Sequence, residues 1–215
     1  MHLLFFTREP HPCHRPDVAV LFGKYLPRLG VTSDLAAMSA DGNDAPWAGG
    51  KALIGKLGRS RALNAVLAFL HVLRVLARGR GSYDAIQVRD NPLAALAALM
   101  AARSWGVPFF YWMSFPIVEG SVELAKAGPR KLGWPRYLFV LMKGHVGYWI
   151  YYRIVAPRAD HIFVQSERMK QDMVQKGILA DKLTPVPMGV DIDMADPGQI
   201  PPADDSRLQG RRVIV

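Results

Sequence analysis

Short apolar runs alternate along this chain with longer segments of helical period, and that alternation restricts the fold more than any other feature. The runs are Leu3–Phe6, Leu35–Met38, Ala85–Val88, Val107–Met113, His161–Val164 and Leu183–Val186. The run VPFFYWM is rich in large aromatic residues, as a strand buried on both faces can be. After the first run, Val18, Leu21, Phe22, Tyr25, Leu26 and Leu29 recur at the spacing of an amphipathic helix that Pro16 opens and Gly30 closes. Pro27 in its last turn predicts a bend. Further helices are expected over Ala62–Arg78, over Pro92–Ser104 with Gly106 as its stop, over Arg136–Val155, and from an N-cap at Ser166 to a stop at Gly177. Asp41–Gly50 and Glu119–Gly133 read as irregular. Strand–helix alternation predicts an α/β fold built on a doubly wound parallel sheet. Ligands of such sheets sit at the carboxyl ends of the strands. The candidate site is therefore assembled from Thr7–Arg15, Arg89–Asn91, Ser114–Glu119 and the start of the Ser166 helix.

A domain of this kind suits a chain of 215 residues, 50% hydrophobic and 21% charged. The single cysteine, Cys13, excludes a disulfide framework and a Cys-rich zinc site, and fits a reducing compartment. The opening MHLLFFTREP lacks the basic n-region of a secretory signal. Leu93–Ala102 is too short to cross a bilayer, which takes about 20 residues. Tyr137–Val155 has the length, but Lys143, His145 and Arg153 interrupt it, which predicts a buried helix or one lying on a membrane surface, with a membrane span as the lesser alternative.

The formal net charge of +9 is unevenly spread. Lys51–Arg80 holds Lys51, Lys56, Arg59, Arg61, Arg74, Arg78 and Arg80 and no acid, and Lys126–Arg158 holds Lys126, Arg130, Lys131, Arg136, Lys143, Arg153 and Arg158 and no acid. Outside these two segments the chain is net acidic, an asymmetry that points to an anionic partner for one region. The second segment also carries Trp134, Tyr137, Phe139, Tyr148, Trp149, Tyr151 and Tyr152. Cations interleaved with aromatic rings suit an anionic membrane surface, where each Lys or Arg contributes about 1 kcal/mol. The alternative is a pair of core helices whose cations snorkel on their wet faces. No RNP, KH or zinc-knuckle pattern accompanies them, so no nucleic-acid partner is expected.

Several chemistries lack their signatures. There is no P-loop, no GxGxxG after the first strand, no GxSxG elbow and no HExxH. The first loop instead reads TREPHPCHRPD. His11, Cys13 and His14 match no common zinc spacing, so no metal site is expected. The loop is either a polar surface whose Arg8 and Arg15, beside His11 and His14, contact an anionic ligand, or a solvated turn.

From His161 to Pro197 the order of elements becomes specific. A strand is followed by Ser166-Glu167 opening a helix, by Gly177, by Lys182 ahead of a short strand ending at Val186, then by Gly189-Val190-Asp191 and Pro197. In this order the residues resemble the N-terminal domain of GT-B glycosyltransferases, in the large retaining family 4. The upstream order fits as well: a strand, a helix ending Arg28-Leu29-Gly30, then YDAIQVRD, a helix, and GVPFFYWMS.

The resemblance implies two Rossmann-like domains with a cleft between them, an acceptor side in the N-terminal domain and a nucleotide-sugar side in the C-terminal one. On that basis residues 1–190 are expected to form the acceptor-side half, 191–211 a linker, and 212–215 the start of a truncated donor-binding domain. It further implies a UDP- or GDP-sugar as co-substrate with no tightly bound cofactor, a glycan or lipid-linked acceptor, and a cytoplasmic enzyme that can dock on the inner face of the membrane. Arg89, Asp90 and Asn91 are then candidates for acceptor hydroxyls, against a plain strand-end ion pair. Ser166 and Glu167 are candidates for substrate contact, against a helix cap alone, and Gly189 and Asp191 shape the hinge. The chain departs from the family where His14-Arg15-Pro16 replace paired glycines, and where Ser114 replaces a histidine. A hydroxyl supplies neither the charge nor the basicity of an imidazole, so no catalytic role passes to Ser114, which stays a binding candidate. Glu119, five residues on, either orients an acceptor hydroxyl or is an exposed loop carboxylate. A non-catalytic module for membranes or polyanions and a sugar-nucleotide epimerase of similar architecture are the rival readings.

Overall fold

The computed structural model describes residues 1–39, 45–58, 60–189 and 191. In chain order the first elements are β1 (His2–Pro10), α1 (Pro16–Val20), a π-helical turn (Leu21–Tyr25), α2 (Leu26–Arg28), β2 (Thr32–Ser39), β3 (Ala52–Lys56) and α3 (Arg61–Arg78). There follow β4 (Ala85–Arg89), α4 (Pro92–Trp105), β5 (Phe109–Met113), α5 (Ile117–Ala125), α6 (Gly128–Leu132) and α7 (Trp134–Trp149). A second π-helical turn (Ile150–Val155), α8 (Ala156–Arg158), β6 (His161–Val164), α9 (Glu167–Gln175) and β7 (Leu183–Pro185) complete the described chain.

The strands form one sheet in the order β3-β2-β1-β4-β5-β6-β7, parallel at every pairing. The chain steps outward from β1 through β2 to β3, then crosses back to β4 and steps outward the other way. The expected doubly wound sheet is present, and its direction of winding reverses between β1 and β4, where such sheets open a crevice.

Each face of the sheet has its own core. On one face Leu4, Ile86, Val88, Phe109, Tyr111 and Ile162 meet Val72 and Leu76 of α3, the alanines of α4, and Tyr151 and Val155 of the second π turn. Ala94, Ala95, Ala98 and Ala102 keep the buried stripe of α4 small, which lets that helix lie close to the strands. On the other face Phe5 stacks on Phe22 at 4.2 Å, and Leu35 and Trp112 close around them.

The bend expected at Pro27 takes the form of the first π turn. Pro27 has no N–H to donate and its ring would strike the carbonyl four residues back; widening the preceding turn, so that the Leu26 amide bonds Leu21 O, relieves the clash. The same device precedes Pro157, where the Ala156 amide bonds Tyr151 O.

Two expectations are corrected. β3 has no counterpart among the expected strands: ALIGK is a half-exposed edge strand whose apolar run, Ala52–Ile54, is cut short by Gly55. The segment expected to be irregular from Glu119 to Gly133 contains α5 and α6, which Gly120, Gly128 and Pro129 obscure in the sequence. α5 packs against α7 at Gly144, where a Cβ would stand 3.0 Å from Val122 N.

Gly50 joins β3 to β2. A Cβ there would lie 2.5 Å from Ser33 O and 2.8 Å from Asp34 Oδ1, while the neighbouring Lys51 amide donates to that same Oδ1 at 2.8 Å. Backbone cannot step aside as a side chain can. Gly50→Ala is expected to cost about 1–3 kcal/mol by overpacking, read as a lowered urea midpoint; an unchanged midpoint would show that β3 is free to move.

Candidate functional site

β1 runs on to Pro10, with a shift in register against β2 between Phe6 and Pro10. Arg8 and Glu9 therefore project from a strand end, not from the loop expected to begin at Thr7. Arg15 is the N-cap residue of α1, and Asp17 occupies its first turn, where the positive end of a helix favours a carboxylate. β4 delivers Arg89 with Asp90 behind it, and β5 leads into Ser114 and Phe115. These strand ends surround an open cavity of about 340 Å³ lined by Arg8, Glu9, Arg15, Arg89, Asp90, Ser114, Phe115 and Ile117.

Arg89 organises the floor. It is 1% exposed and its guanidinium lies 5.1 Å from the Trp112 ring. Nη2 donates to Asp17 Oδ2 at 2.5 Å and Nη1 to Glu9 Oε1 at 3.4 Å. Arg15 reaches the same two acids, with Nε 3.2 Å from Asp17 Oδ1 and Nη1 3.5 Å from Glu9 Oε1. Arg8 is exposed and pairs with no acid among the described residues. Its charge reaches Lys143 of α7, whose ammonium is pushed below its usual value first by desolvation and then by Arg8.

Asp90 adopts a left-handed φ of 52°. Its Oδ1 accepts from the Ser114 amide at 2.9 Å and the Phe115 amide at 3.3 Å, and its Oδ2 accepts from the Ser114 hydroxyl. Burial raises the Asp90 carboxyl above the ordinary 3.8, opposed by the Ser114 hydroxyl and by Arg89. The folded protein thus holds this proton more tightly than the unfolded chain. Its contribution to stability is present below 3.8 and lost as pH rises through the folded value. Urea unfolding of wild type against Asp90→Asn across the acid range is expected to show wild type losing ground to the variant as pH rises; a difference independent of pH would contradict the shift.

The other candidates stand apart from this cavity. His11 is buried with Nε2 2.8 Å from Ala45 O, so it packs a loop. His14 is exposed and lines neither cavity. Asn91 caps α4 by accepting from the Ala94 amide at 3.2 Å. Ser166 caps α9 by accepting from the Met169 amide at 3.2 Å, and Glu167 is an exposed residue of its first turn. Glu119 lies on α5, not in a loop. Its Oε1 accepts from Lys176 Nζ at 2.6 Å and from the Tyr152 hydroxyl. Burial and then Glu119 push that phenol far up, so Tyr152 stays a donor. Glu119 and Ser166 line a second cavity of about 300 Å³ with Met113, Met169, Met173 and Lys176. Among the described residues no three His, Cys, Asp or Glu side chains stand together as a metal ion would require.

The family model of glycosyltransferase family 4 matches residues 18–194. The chain belongs to glycosyltransferase family 4. Solved structures share its fold. One is HepE (Alr3699) of Anabaena in complex with UDP and glucose, 14% identical with a TM-score of 0.53, covering 90% of this chain and 46% of that one. Another is a UDP-glucosyltransferase from Polygonum tinctorium capable of glucosylating indoxyl, 15% identical with a TM-score of 0.56, covering 94% and 55%. A third is the UDP-GlcNAc 2-epimerase of Methanocaldococcus jannaschii, 11% identical with a TM-score of 0.51, covering 86% and 45%. This chain spans about half the length of each. No curated protein matches it significantly. The fold is the Rossmann-like half of a GT-B architecture.

In this family 4 chain the fold brings together five of the residues singled out in the sequence, Arg8, Arg15, Arg89, Asp90 and Ser114. Glu9, Phe115 and Ile117, from the stretches Thr7–Arg15 and Ser114–Glu119 marked out in the sequence, line it too, and Asp17 of the first loop's TREPHPCHRPD supports its floor. Glu9 and Asp17 were visible as acids beside Arg8 and Arg15, but nothing local ties Asp17 to Arg89. Among the described residues, nothing beyond its chain neighbours lies within 4 Å of where a Cβ of Gly189 would stand. Asp191 is buried: Lys24 Nζ lies 2.8 Å from both its carboxylate oxygens, and Tyr25 donates to Oδ1 at 3.3 Å. The rest of the expected linker over 191–211, and residues 212–215, lie outside the described residues, as do Val190 and Pro197.

Proposed function

We propose that this chain is the acceptor-side half of an enzyme that transfers a sugar, with retention, from a UDP- or GDP-sugar to a glycan or lipid-linked acceptor in cell-surface polysaccharide or glycolipid synthesis. The observation that carries the reading is the cavity at the ends of β1, β4 and β5, where Arg8, unpaired among the described residues, stands over a buried Arg–carboxylate floor. Membership of family 4 supports sugar transfer, and the UDP held by HepE supports a nucleotide-sugar donor.

The leaving diphosphate gains charge as the glycosidic bond breaks, and preorganised cations stabilise such charge best. Arg8 and Arg15 are that provision from this half. Glu9 uses Oε1 for both Arg15 and Arg89, which leaves Oε2 to accept from an acceptor hydroxyl. Asp90 fixes the corner carrying Ser114. Most donor contacts belong to the other half of the enzyme, so this chain alone is expected to be inactive. Gly189–Asp191 serve as the hinge: Asp191 clamps the linker to Lys24 and Tyr25, in the helix whose first turn carries Asp17. The enzyme works in the cytoplasm at the inner face of the membrane.

A panel of UDP- and GDP-sugars offered to the full-length enzyme with glycan and lipid-linked acceptors tests the reading. The expected result is a glycosylated acceptor whose anomeric configuration, read by NMR, equals that of the donor. The fold shared with the 2-epimerase supports a second reading, and an altered nucleotide-sugar formed without acceptor would establish it in place of the first.

A further inference from the structure

The helix between β5 and β6 is far longer than the strands it connects. Residues 134–158 form one continuous helical rod of roughly 37 Å at 1.5 Å per residue, beside strands of five and four residues. Its second part packs into the core: Ile150, Tyr151, Val155 and Ala156 are buried, and the π turn packs on α4, whereas α7 buries Val140 and Gly144 alone. The first part, α7, packs chiefly on α5 and α6 and overhangs the sheet. Because the helix follows β5, the overhang lies at the carboxyl ends of the strands, the end that holds the Arg8–Arg89 cavity.

The wet face of α7 is apolar. Trp134 (65% exposed), Leu138, Met142 (62%), Val146 and Trp149 (58%) recur at helical spacing on one side, with Phe139 beside them. Exposed Arg136, Lys143 and Arg153 accompany this stripe, and residues 126–158 contain no acid. α3 repeats the pattern: it too starts from the carboxyl end, after β3, and exposes Leu63, Val66 and Leu70 while Val72, Val75 and Leu76 are buried. A second copy of this chain would set cation against cation across such a face. An anionic surface that also accepts rings and aliphatic chains matches both components.

We propose that the exposed face of α7, with the start of α3 as a second contact, docks on an anionic lipid bilayer and lies in its headgroup boundary, so that the cavity opens beside the membrane. No helix among the described residues is long and apolar enough to cross a membrane, so the contact is interfacial. The sugar-transfer reading enters only in what docking delivers, an acceptor held in the bilayer.

Co-sedimentation of the full chain with vesicles of phosphatidylcholine, alone or mixed with phosphatidylglycerol, tests the proposal. The expected result is binding to the anionic vesicles that weakens with added salt. Leu138→Glu with Met142→Glu is expected to weaken it by about tenfold or more, and Arg136→Glu with Lys143→Glu to remove the preference for phosphatidylglycerol. These side chains are exposed, and unchanged circular dichroism and Tm confirm that the variants fold. Absence of binding by the wild type, or equal binding by the Leu138/Met142 variant, overturns the proposal. A wild-type dimer by light scattering that this variant dissolves also overturns it, in favour of self-association. Transfer to a soluble acceptor by the full-length enzyme is expected to survive the Leu138/Met142 substitutions, so its loss or absence reports on the sugar-transfer reading separately.

Discussion

Arg89→Met lowers folding stability by about 3–5 kcal/mol, the scale for stranding one member of a buried ion pair. Arg89 is 1% exposed and the Asp17 side chain 3%, so neither charge can turn to water when its partner is removed. Arg15 still reaches Asp17 Oδ1 at 3.2 Å, which places the loss near the lower end of that range. Adding Asp17→Asn to Arg89→Met removes the stranded charge and recovers part of the loss, so the pair is strongly non-additive in a double-mutant cycle. Equilibrium urea unfolding of the four proteins measures this. Additive effects below 1 kcal/mol would mean that the pair is open to solvent.

Arg8→Glu acts on the opposite quantity. Arg8 is exposed and unpaired among the described residues, so its replacement leaves stability within about 0.5 kcal/mol. It reverses the one cation of the cavity that no carboxylate among the described residues neutralises. Transfer by the full-length enzyme is expected to fall by about 10²-fold or more in kcat/KM, the scale for losing one donor to developing charge. Arg8→Lys keeps the charge and recovers most of the rate. Unaltered kcat/KM in Arg8→Glu would remove Arg8 from the site.

The sheet was legible because its inner strands are dense apolar runs with helices between them. AIQVR and FFYWM are nearly fully buried and could be read as strands without any partner in view. β3 could not, since an edge strand buries little and ALIGK carries little signal. α5 and α6 were hidden for another reason: Gly120 weakens the helical signal of α5, whose close packing on α7 at Gly144 is tertiary, and Gly128 and Pro129, which open α6, read in a sequence as a turn.

The site divides along the same line. Arg8, Arg15, Arg89, Asp90 and Ser114 were found because a parallel sheet collects the ends of its strands, whatever residues stand there. The Arg89–Asp17 pair, 72 residues apart, was not, because only the reversal between β1 and β4 brings them together. His11 misled for a local reason. β1 continues past Phe6 through a register shift, which turns His11 inward onto Ala45 O. Glu119 and Ser166 stand at the carboxyl side of β5 and β6 but face a neighbouring cavity, a distinction of side-chain direction that no spacing rule carries.

Calorimetric titration of UDP- and GDP-sugars into this chain and into the full-length enzyme addresses the division of labour directly. Tight binding by the full-length enzyme alone is the result expected of an acceptor-side half. Tight binding by residues 1–215 on their own would place the donor site in this domain and contradict that assignment.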